Sequence, residues 1–222
     1  MADIEIQSCC DDSLVPAVRG FVHRPEKING DGLVLTHGAG SNAKSSVLVA
    51  LAASFAKVGF TVLRCDLPFR QNRPFGPPRP ANAETDREGL RNAVLVMRRL
   101  GPGRIFLGGQ SYGGRQASML CAEQPDLVAG LLLLSYPLHP PGKAAQLRVQ
   151  HLPRLRVPVL FVQGTRDPFG SIEEMESALK LIPERTHLIA MDGAGHDLGF
   201  KGKSVRSSLP GEVLSAFQPF FA

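Results

Sequence analysis

Short apolar runs alternate along the chain with longer amphipathic segments. The runs are rich in Val, Ile, Leu and Phe and are bounded by Gly or Pro, which is typical of strands buried on both faces. They are Gly32–Thr36, Thr61–Cys65, Arg104–Gly108, Leu131–Ser135, Val157–Gln163 and Thr186–Ala190. The intervening periodicity predicts helices over residues 44–58, 84–100, 113–123, 171–181 and 211–221. This order predicts an α/β fold with a mostly parallel sheet and helices on both faces.

Three segments depart from this alternation. The sequences IEIQSCC and PAVRGFVHR near the amino terminus predict an antiparallel hairpin at an edge of the sheet. Residues 68–80 (PFRQNRPFGPPRP) contain five prolines and three arginines, which predicts a loop. The Pro-rich break at 139–153 is too short for an inserted lid domain, so we expect an open site. The chain has no repeat and no linker, and residues 1–222 are expected to form one domain.

Composition narrows the possible classes of function. With 43% apolar and 20% charged residues, the chain resembles a soluble globular protein, and no apolar run approaches the roughly 18 residues of a membrane span. The net charge of +5 comes from scattered residues without a basic block, so nucleic-acid binding is not expected. The start MADIEIQS does not resemble a signal peptide, and the four cysteines form no C-x-x-C motif. These features favour a reducing, cytoplasmic location.

The sharpest chemical signal is the sequence GGQSYGG, which lies between a predicted strand and a predicted helix. A serine hydroxyl becomes a useful nucleophile when it is exposed, aimed and hydrogen-bonded to a base. A sharp strand-to-helix turn aims it, and the residues two before and two after must then be small. Gly109 and Gly113 satisfy this requirement around Ser111. We therefore predict that Ser111 is a catalytic nucleophile.

An acyl-transfer enzyme also needs hydrogen-bond donors where negative charge develops on the carbonyl oxygen. The backbone N–H of Tyr112 would be one donor, at the start of the helix. The second is expected from the loop His37-Gly38-Ala39-Gly40-Ser41, which follows a buried strand. Ala39 is the preferred donor and Gly38 the alternative, while His37 is interpreted as structural.

The base and its orienting acid are expected at the carboxyl ends of later strands. Asp167 follows the strand VPVLFVQ in the sequence GTRDP, and His196 lies in the Gly-rich sequence GAGHD after the next strand. The chain order Ser, Asp, His matches that of hydrolases built on such sheets. Asp192 and Asp197, which flank the histidine, stay open as alternatives for the acid.

The Pro-rich loop 68–80 has a functional interpretation as well as a structural one. As a wall of the active-site mouth, its residues Arg70 and Arg73, together with Arg79, would attract an anionic substrate. No His lies near Cys or carboxylates at metal-ligand spacing, and HGAGSNAKSS lacks the glycine that precedes lysine in a phosphate-binding loop. Neither a metal nor a cofactor is expected.

The motifs GGQSYGG, HGAGS, GTRDP and GAGHD resemble those of the α/β-hydrolases in order and spacing over nearly the whole chain. The compact size and missing lid resemble the dienelactone-hydrolase-like branch, whose enzymes use a cysteine where this chain has Ser111. The arginine-rich loop after the second parallel strand makes the chain similar to the testis-expressed, hydrolase-like predicted proteins. The resemblance implies an α/β-hydrolase fold without a separate lid domain and the triad Ser111, Asp167 and His196. It implies little about the substrate.

These features predict a serine hydrolase that cleaves a carboxylic ester or thioester of a small to medium substrate through an acyl-enzyme on Ser111. A short-peptide hydrolase or an acyltransferase would use the same triad. A catalytically inactive interaction module with the α/β-hydrolase fold is the alternative from a different class. The expected partner is a small acyl substrate, with no nucleic acid and no membrane, and the oligomeric state stays open.

Overall fold

The computed structural model describes residues 4–200 and 207–222, and within them eight strands form one sheet. The strands are β1 Glu5–Asp11, β2 Val18–Arg24, β3 Asp31–Thr36, β4 Thr61–Cys65, β5 Arg104–Gln110, β6 Gly130–Leu134, β7 Val159–Gly164 and β8 Thr186–Met191. The helices are α1 Ser46–Lys57, α2 Pro68–Asn72, α3 Ala83–Arg99, α4 Tyr112–Glu123, α5 Ile172–Leu179 and α6 Leu209–Phe220. The spatial order of the strands is β1-β2-β4-β3-β5-β6-β7-β8.

The sheet is parallel from β3 to β8, and the hairpin β1–β2 joins it antiparallel at the β4 edge. This confirms the predicted α/β class, the mostly parallel sheet and the edge hairpin. The predicted strands and long helices are all present, with ends shifted by one or two residues. No helix in the described part of the chain has the length and apolar character needed to cross a membrane.

Each buried strand serves two separate cores because successive side chains point to opposite faces of the sheet. In β3, Leu33 and Leu35 pack into one core and Val34 into the other. Helices α1 and α6 cover the first face, where Phe55 and Phe217 meet edge to face at 4.9 Å between ring centres. Helices α3, α4 and α5 cover the second face. This double covering explains why the strand sequences are continuously apolar.

The Pro-rich segment corrects one prediction. Residues 68–80 were expected to be a loop throughout, but the first five form α2 and Pro80–Asn82 form a short 3-10 turn. Proline begins both elements, where the missing N–H costs nothing because the first helical residues have no intrahelical acceptor. The residues between them form the predicted loop.

The strand register places the carboxyl ends of the central strands side by side. Thr36 at the end of β3 lies opposite Gly109 of β5, and Gln110 lies opposite Leu134 at the end of β6. Gly164 and Met191 are opposite each other at the ends of β7 and β8. The loops that carry the predicted site residues therefore leave the sheet along the same edge.

A buried histidine makes the stability of this fold depend on pH. His151 Nε2 lies 2.8 Å from the Ser118 hydroxyl, and burial, with help from Arg115 and Arg154, lowers the pKa of His151 from 6.5 to about 4. Between these values the unfolded chain binds a proton that the folded chain does not. The contribution of the neutral His151 to the free energy of unfolding is therefore complete above pH 6.5 and is lost as the pH falls toward 4.

We expect the free energy of unfolding to decrease as the pH falls from 7 to 4, and to decrease less steeply in His151→Gln. Urea unfolding at several pH values measures this slope. The exposed His187 supplies the matched control His187→Gln, in which the slope of the native chain should persist. Equal slopes for His151→Gln and the native chain would contradict the assignment.

Candidate active site

Ser111 lies at the turn between β5 and α4 in a backbone conformation that L-residues seldom adopt. Its φ of 50° and ψ of −117° fall outside the common regions, and its N–H donates to Leu134 O at 2.8 Å. The Arg115 N–H donates to Ser111 O at 2.9 Å and begins the helical pattern. The turn thus holds the serine side chain at the exposed edge of the sheet.

The glycines around this turn are required by close backbone contacts. A Cβ at Gly109 would lie 2.7 Å from Gly114 N, and a Cβ at Gly113 would lie 2.4 Å from His37 O. A Cβ at Gly38 would lie 3.4 Å from Ser111 Cβ. These distances show that the loop after β3 lies directly against the start of α4.

The structure brings together the three predicted triad residues, which come from three different strand ends. His196 Nε2 lies 2.8 Å from Ser111 Oγ, and His196 Nδ1 lies 2.8 Å from Asp167 Oδ2. The Asp167 side chain is fully buried, whereas that of His196 is partly exposed. Because a carboxylate accepts, Nδ1 carries the proton and Nε2 is left to accept from the serine hydroxyl.

The acid is held by its own loop. Asp167 Oδ1 accepts a hydrogen bond from Phe169 N at 2.9 Å, which leaves Oδ2 directed at the histidine. The Phe169 ring stacks on the His196 ring at 4.1 Å between centres. Gln163 Nε2 donates to Gly170 O at 3.3 Å and ties this loop to β7. Of the three carboxylates considered from the sequence, Asp167 is the one hydrogen-bonded to His196 Nδ1.

The two predicted oxyanion donors lie beside Ser111. Ala39 and Tyr112 both line the pocket that contains the serine hydroxyl. Tyr112 begins α4, so its N–H has no acceptor within the helix. Within the described residues, the Ala39 N–H likewise donates to no other group. Both donors are therefore available to a bound oxygen.

His37 is structural, as its sequence context indicated. The buried ring donates from Nδ1 to Gly38 O at 2.8 Å and accepts at Nε2 from Leu67 N at 3.1 Å. Burial lowers its pKa, so the ring stays neutral. His37 thereby holds the loop that contains Ala39 against the residue before α2.

Arg70 and Arg73 were predicted to bind substrate, but in the structure they lie outside the lining of the Ser111 pocket. Arg70 is buried, and its guanidinium donates to the carbonyl oxygens of Ala39, Ser41, Arg73 and Gly76. Arg73 donates to Pro77 O. The Arg70 guanidinium therefore holds the Ala39 loop and the Pro-rich loop together, whereas the Arg73 hydrogen bond lies within the Pro-rich loop.

One supporting residue, Asp86, was not identified from the sequence. It is fully buried on α3, accepts from the Tyr112 hydroxyl at 2.7 Å and accepts from Phe69 N at 2.9 Å. Burial raises the pKa of Asp86, and burial together with this carboxylate raises the pKa of Tyr112. Its helical sequence context resembles a solvated charge, and only the tertiary packing reveals its role.

The pocket over Ser111 has a volume of about 780 Å³ and a largely apolar wall. Apolar lining is supplied by Val47, Pro77, Pro78, Met119, Pro137, Phe169 and Phe200. Three arginines also line it: Arg79, from the loop predicted to do so, and Arg115 and Arg148, for which no function was predicted from the sequence. A cavity of this size with a mainly apolar wall is typical of small-molecule sites.

Comparison with protein families gives one match that spans most of the chain. Residues 29–213 match the family described as Alpha/beta hydrolase domain. The matched range begins before β3 and ends within α6, so it includes Ser111, Asp167 and His196.

Solved structures with the same architecture have low sequence identity to this chain. TT1662 from Thermus thermophilus is 22% identical with a TM-score of 0.74, covering 99% of this chain and 98% of that one. Dienelactone hydrolase from Anabaena variabilis is 20% identical with a TM-score of 0.71, covering 98% of each chain. XC6422 from Xanthomonas campestris, described as a serine hydrolase without a lid, is 16% identical with a TM-score of 0.72, covering 97% and 95%. These similarities establish the fold alone.

The glycine contacts give a prediction about stability. In Gly113→Ala the new methyl would overlap His37 O, so the loop after β3 must move, and we expect a loss of about 1–3 kcal/mol in the free energy of unfolding. A Cβ at Gly211 in α6 meets no atom within 4 Å. The matched control Gly211→Ala should therefore be neutral or stabilising by up to about 1 kcal/mol. Urea unfolding measures both, and similar values for the two variants would contradict the proposed close contact.

Proposed function

Because the chain belongs to the alpha/beta hydrolase family, we propose that it is a serine hydrolase that cleaves a carboxylic ester or thioester of a small to medium substrate. The observation that carries this proposal is the hydrogen-bonded series from Ser111 through His196 to Asp167, at 2.8 Å for each contact. Ser111 and His196 line a pocket of about 780 Å³, which is large enough for such a substrate.

Acylation begins when Ser111 Oγ attacks the carbonyl carbon of the substrate. His196 Nε2 takes the hydroxyl proton, and Asp167 stabilises the imidazolium that forms. The carbonyl oxygen becomes negative and accepts hydrogen bonds from the N–H groups of Ala39 and Tyr112. When the tetrahedral intermediate collapses, the alcohol or thiol leaves with the proton returned by Nε2.

Deacylation follows the same route with water as the nucleophile. His196 removes a proton from water as its oxygen attacks the acyl carbon, and the proton then passes to Ser111 Oγ as it leaves. Among the described residues, the connection from β6 to β7 has a single 3-10 turn, Leu152–Arg154, as its regular structure. The absence of a covering domain from this connection supports access of water to the acyl-enzyme, and so hydrolysis rather than transfer.

A second Ser–His contact in the chain supplies a control. Ser118 Oγ and His151 Nε2 are also 2.8 Å apart, but both side chains are buried and lie outside the pocket lining. Within the described residues, the hydrogen-bond partner of the His151 ring is Ser118, and no carboxylate is bonded to it. Both pairs thus place a serine next to a histidine. The Ser111 pair differs because it lines the pocket and because a carboxylate is hydrogen-bonded to its histidine.

Labelling with a fluorophosphonate probe tests the nucleophile without knowledge of the substrate. We expect rapid labelling of the native chain, loss of labelling in Ser111→Ala and His196→Ala, and labelling at the native rate in Ser118→Ala. Circular dichroism and thermal unfolding verify that each variant is folded. A folded native chain that resists the probe would instead favour an interaction module, and labelling that persists in Ser111→Ala would refute the nucleophile.

The role of the acid has its own test. Asp167→Asn leaves the size of the side chain unchanged but favours the wrong tautomer of His196, so we expect kcat on a 4-nitrophenyl ester to fall by about 10³–10⁴. Asp192→Asn, a change of the same kind beside the histidine loop, should stay within about threefold of the native rate, since it removes no hydrogen bond to His196 Nδ1. Comparable losses of kcat in both variants would contradict the assignment of Asp167 as the residue that orients His196. A library of esters, thioesters and short peptides then distinguishes the substrate classes.

A further inference from the structure

One wall of the pocket runs along α4, beginning at the nucleophile. Arg115 lies one helical turn beyond Ser111, and Arg115, Gln116 and Met119 all line the cavity. Arg148, from the connection between β6 and β7, lines the same cavity, and its Nη1 donates to Pro137 O at 3.2 Å. The cavity is therefore lined by Ser111 and by two arginines that the triad does not use.

Buried donors on this wall lack acceptors. The Gln116 side chain is completely buried, and its Oε1 accepts from Arg87 Nη1 at 3.2 Å, but its Nε2 has no partner among the described residues. Arg115 Nε is also buried without a partner in that part of the chain. A buried donor left without an acceptor is unfavourable, and two of them on adjacent residues that line the cavity are consistent with a ligand that supplies oxygen acceptors.

The charge on this wall is uncompensated. Burial and the Arg115 charge together lower the pKa of Arg148, which indicates that the two cations repel each other. Arg115 also interacts with Tyr136 and His151, and both are neutral, since burial raises the pKa of Tyr136 to about 12 and lowers that of His151 to about 4. None of these neighbours offers a negative charge to the guanidinium groups.

The remaining charged groups of the lining do not change this balance. Arg79 adds a third cation from the Pro-rich loop, and Asp197 is the one carboxylate among the described lining residues. Asp197 Oδ1 accepts from Gly199 N at 3.0 Å within the histidine loop. The pocket thus has an excess of positive charge, concentrated where α4 and the β6–β7 connection meet.

We propose that Arg115, Arg148 and the Gln116 amide form a subsite for an anionic oxygen group of the substrate, either a carboxylate or a phosphate. This inference rests on the proposed hydrolysis at Ser111 and assigns its substrates to the anionic esters. The group lies on the part of the substrate that extends along α4, while the scissile carbonyl lies at Ser111. Two cations and a neutral donor match the several lone pairs of such a group.

Binding of three ligands with the same ring tests the subsite without any catalysis. Isothermal titration calorimetry compares benzoate, phenyl phosphate and neutral benzamide on the native chain. We expect at least one anion to bind about tenfold or more tightly than benzamide, and Arg115→Gln and Arg148→Gln each to remove about tenfold in that affinity. The relative affinities of benzoate and phenyl phosphate tell which anion is preferred.

The control variant is Arg156→Gln, which removes the same charge from an exposed residue outside the pocket lining. It should leave anion binding within about twofold of the native value, since its charge is screened by solvent. Arg115→Lys keeps the charge and should retain part of the preference. Equal binding of all three ligands, unchanged anion affinity in both arginine variants, or undetectable binding at millimolar concentrations would each overturn the subsite.

Kinetics then separates the subsite from the proposed function. The 4-nitrophenyl monoester of glutaric acid and 4-nitrophenyl pentanoate differ in the acyl charge, while 4-acetoxybenzoate and phenyl acetate differ in the leaving-group charge. We expect a higher kcat/KM for the anionic member of one pair, with this preference lost in Arg115→Gln and Arg148→Gln and kept in Arg156→Gln. Hydrolysis without any anion preference would refute the subsite alone, whereas arginine-dependent binding of benzoate or phenyl phosphate without hydrolysis would refute the proposed function alone.

Discussion

The site depends on one contact between two backbones, where the loop after β3 meets the start of α4. Gly113 approaches the His37 carbonyl so closely that a single added methyl would overlap it, and a Cβ on Gly109 would lie 2.7 Å from Gly114 N. This approach brings the Ala39 loop against the start of α4, and Ala39 and Tyr112 both line the pocket that contains Ser111. It also explains why Ser111 occupies a positive φ, because the chain must reverse sharply between strand and helix. The proposed nucleophile and the proposed oxyanion donors are thus fixed by main-chain geometry.

Buried polar side chains maintain that geometry from outside the reacting atoms. His37 and Arg70 hold the carbonyl oxygens of the Ala39 loop, and Asp86 holds the Tyr112 hydroxyl and the N–H of Phe69. Each of these groups would be costly to bury alone and is stabilised by its hydrogen bonds. The positions of the two proposed oxyanion donors therefore depend on residues outside the pocket lining.

The parts that sequence could predict are those with a local signal. Continuous apolar runs identify the parallel strands, and the position of Ser111, Asp167 and His196 after three of them predicts that they meet, because parallel strands end at one edge. Arg70 has no such signal, since its burial depends on packing between two loops far apart in sequence. Arg115 escaped prediction for a related reason. From sequence alone, a polar residue on a helix is expected to face solvent. The packing of the irregular β6–β7 connection against Arg115 has no local sequence signal.

The positive wall also bears on how selectivity arises at this site. In the free protein Arg115 and Arg148 repel each other, and the donors at Arg115 Nε and Gln116 Nε2 stay unsatisfied. A neutral ligand that fills the pocket leaves both penalties in place and also displaces water from the cations. An anionic ligand removes the repulsion and satisfies the donors, so discrimination comes as much from rejecting neutral ligands as from attracting charged ones. Because Arg115 and Tyr112 begin the same helix, a ligand held by the first is positioned relative to the donor of the second by one rigid element.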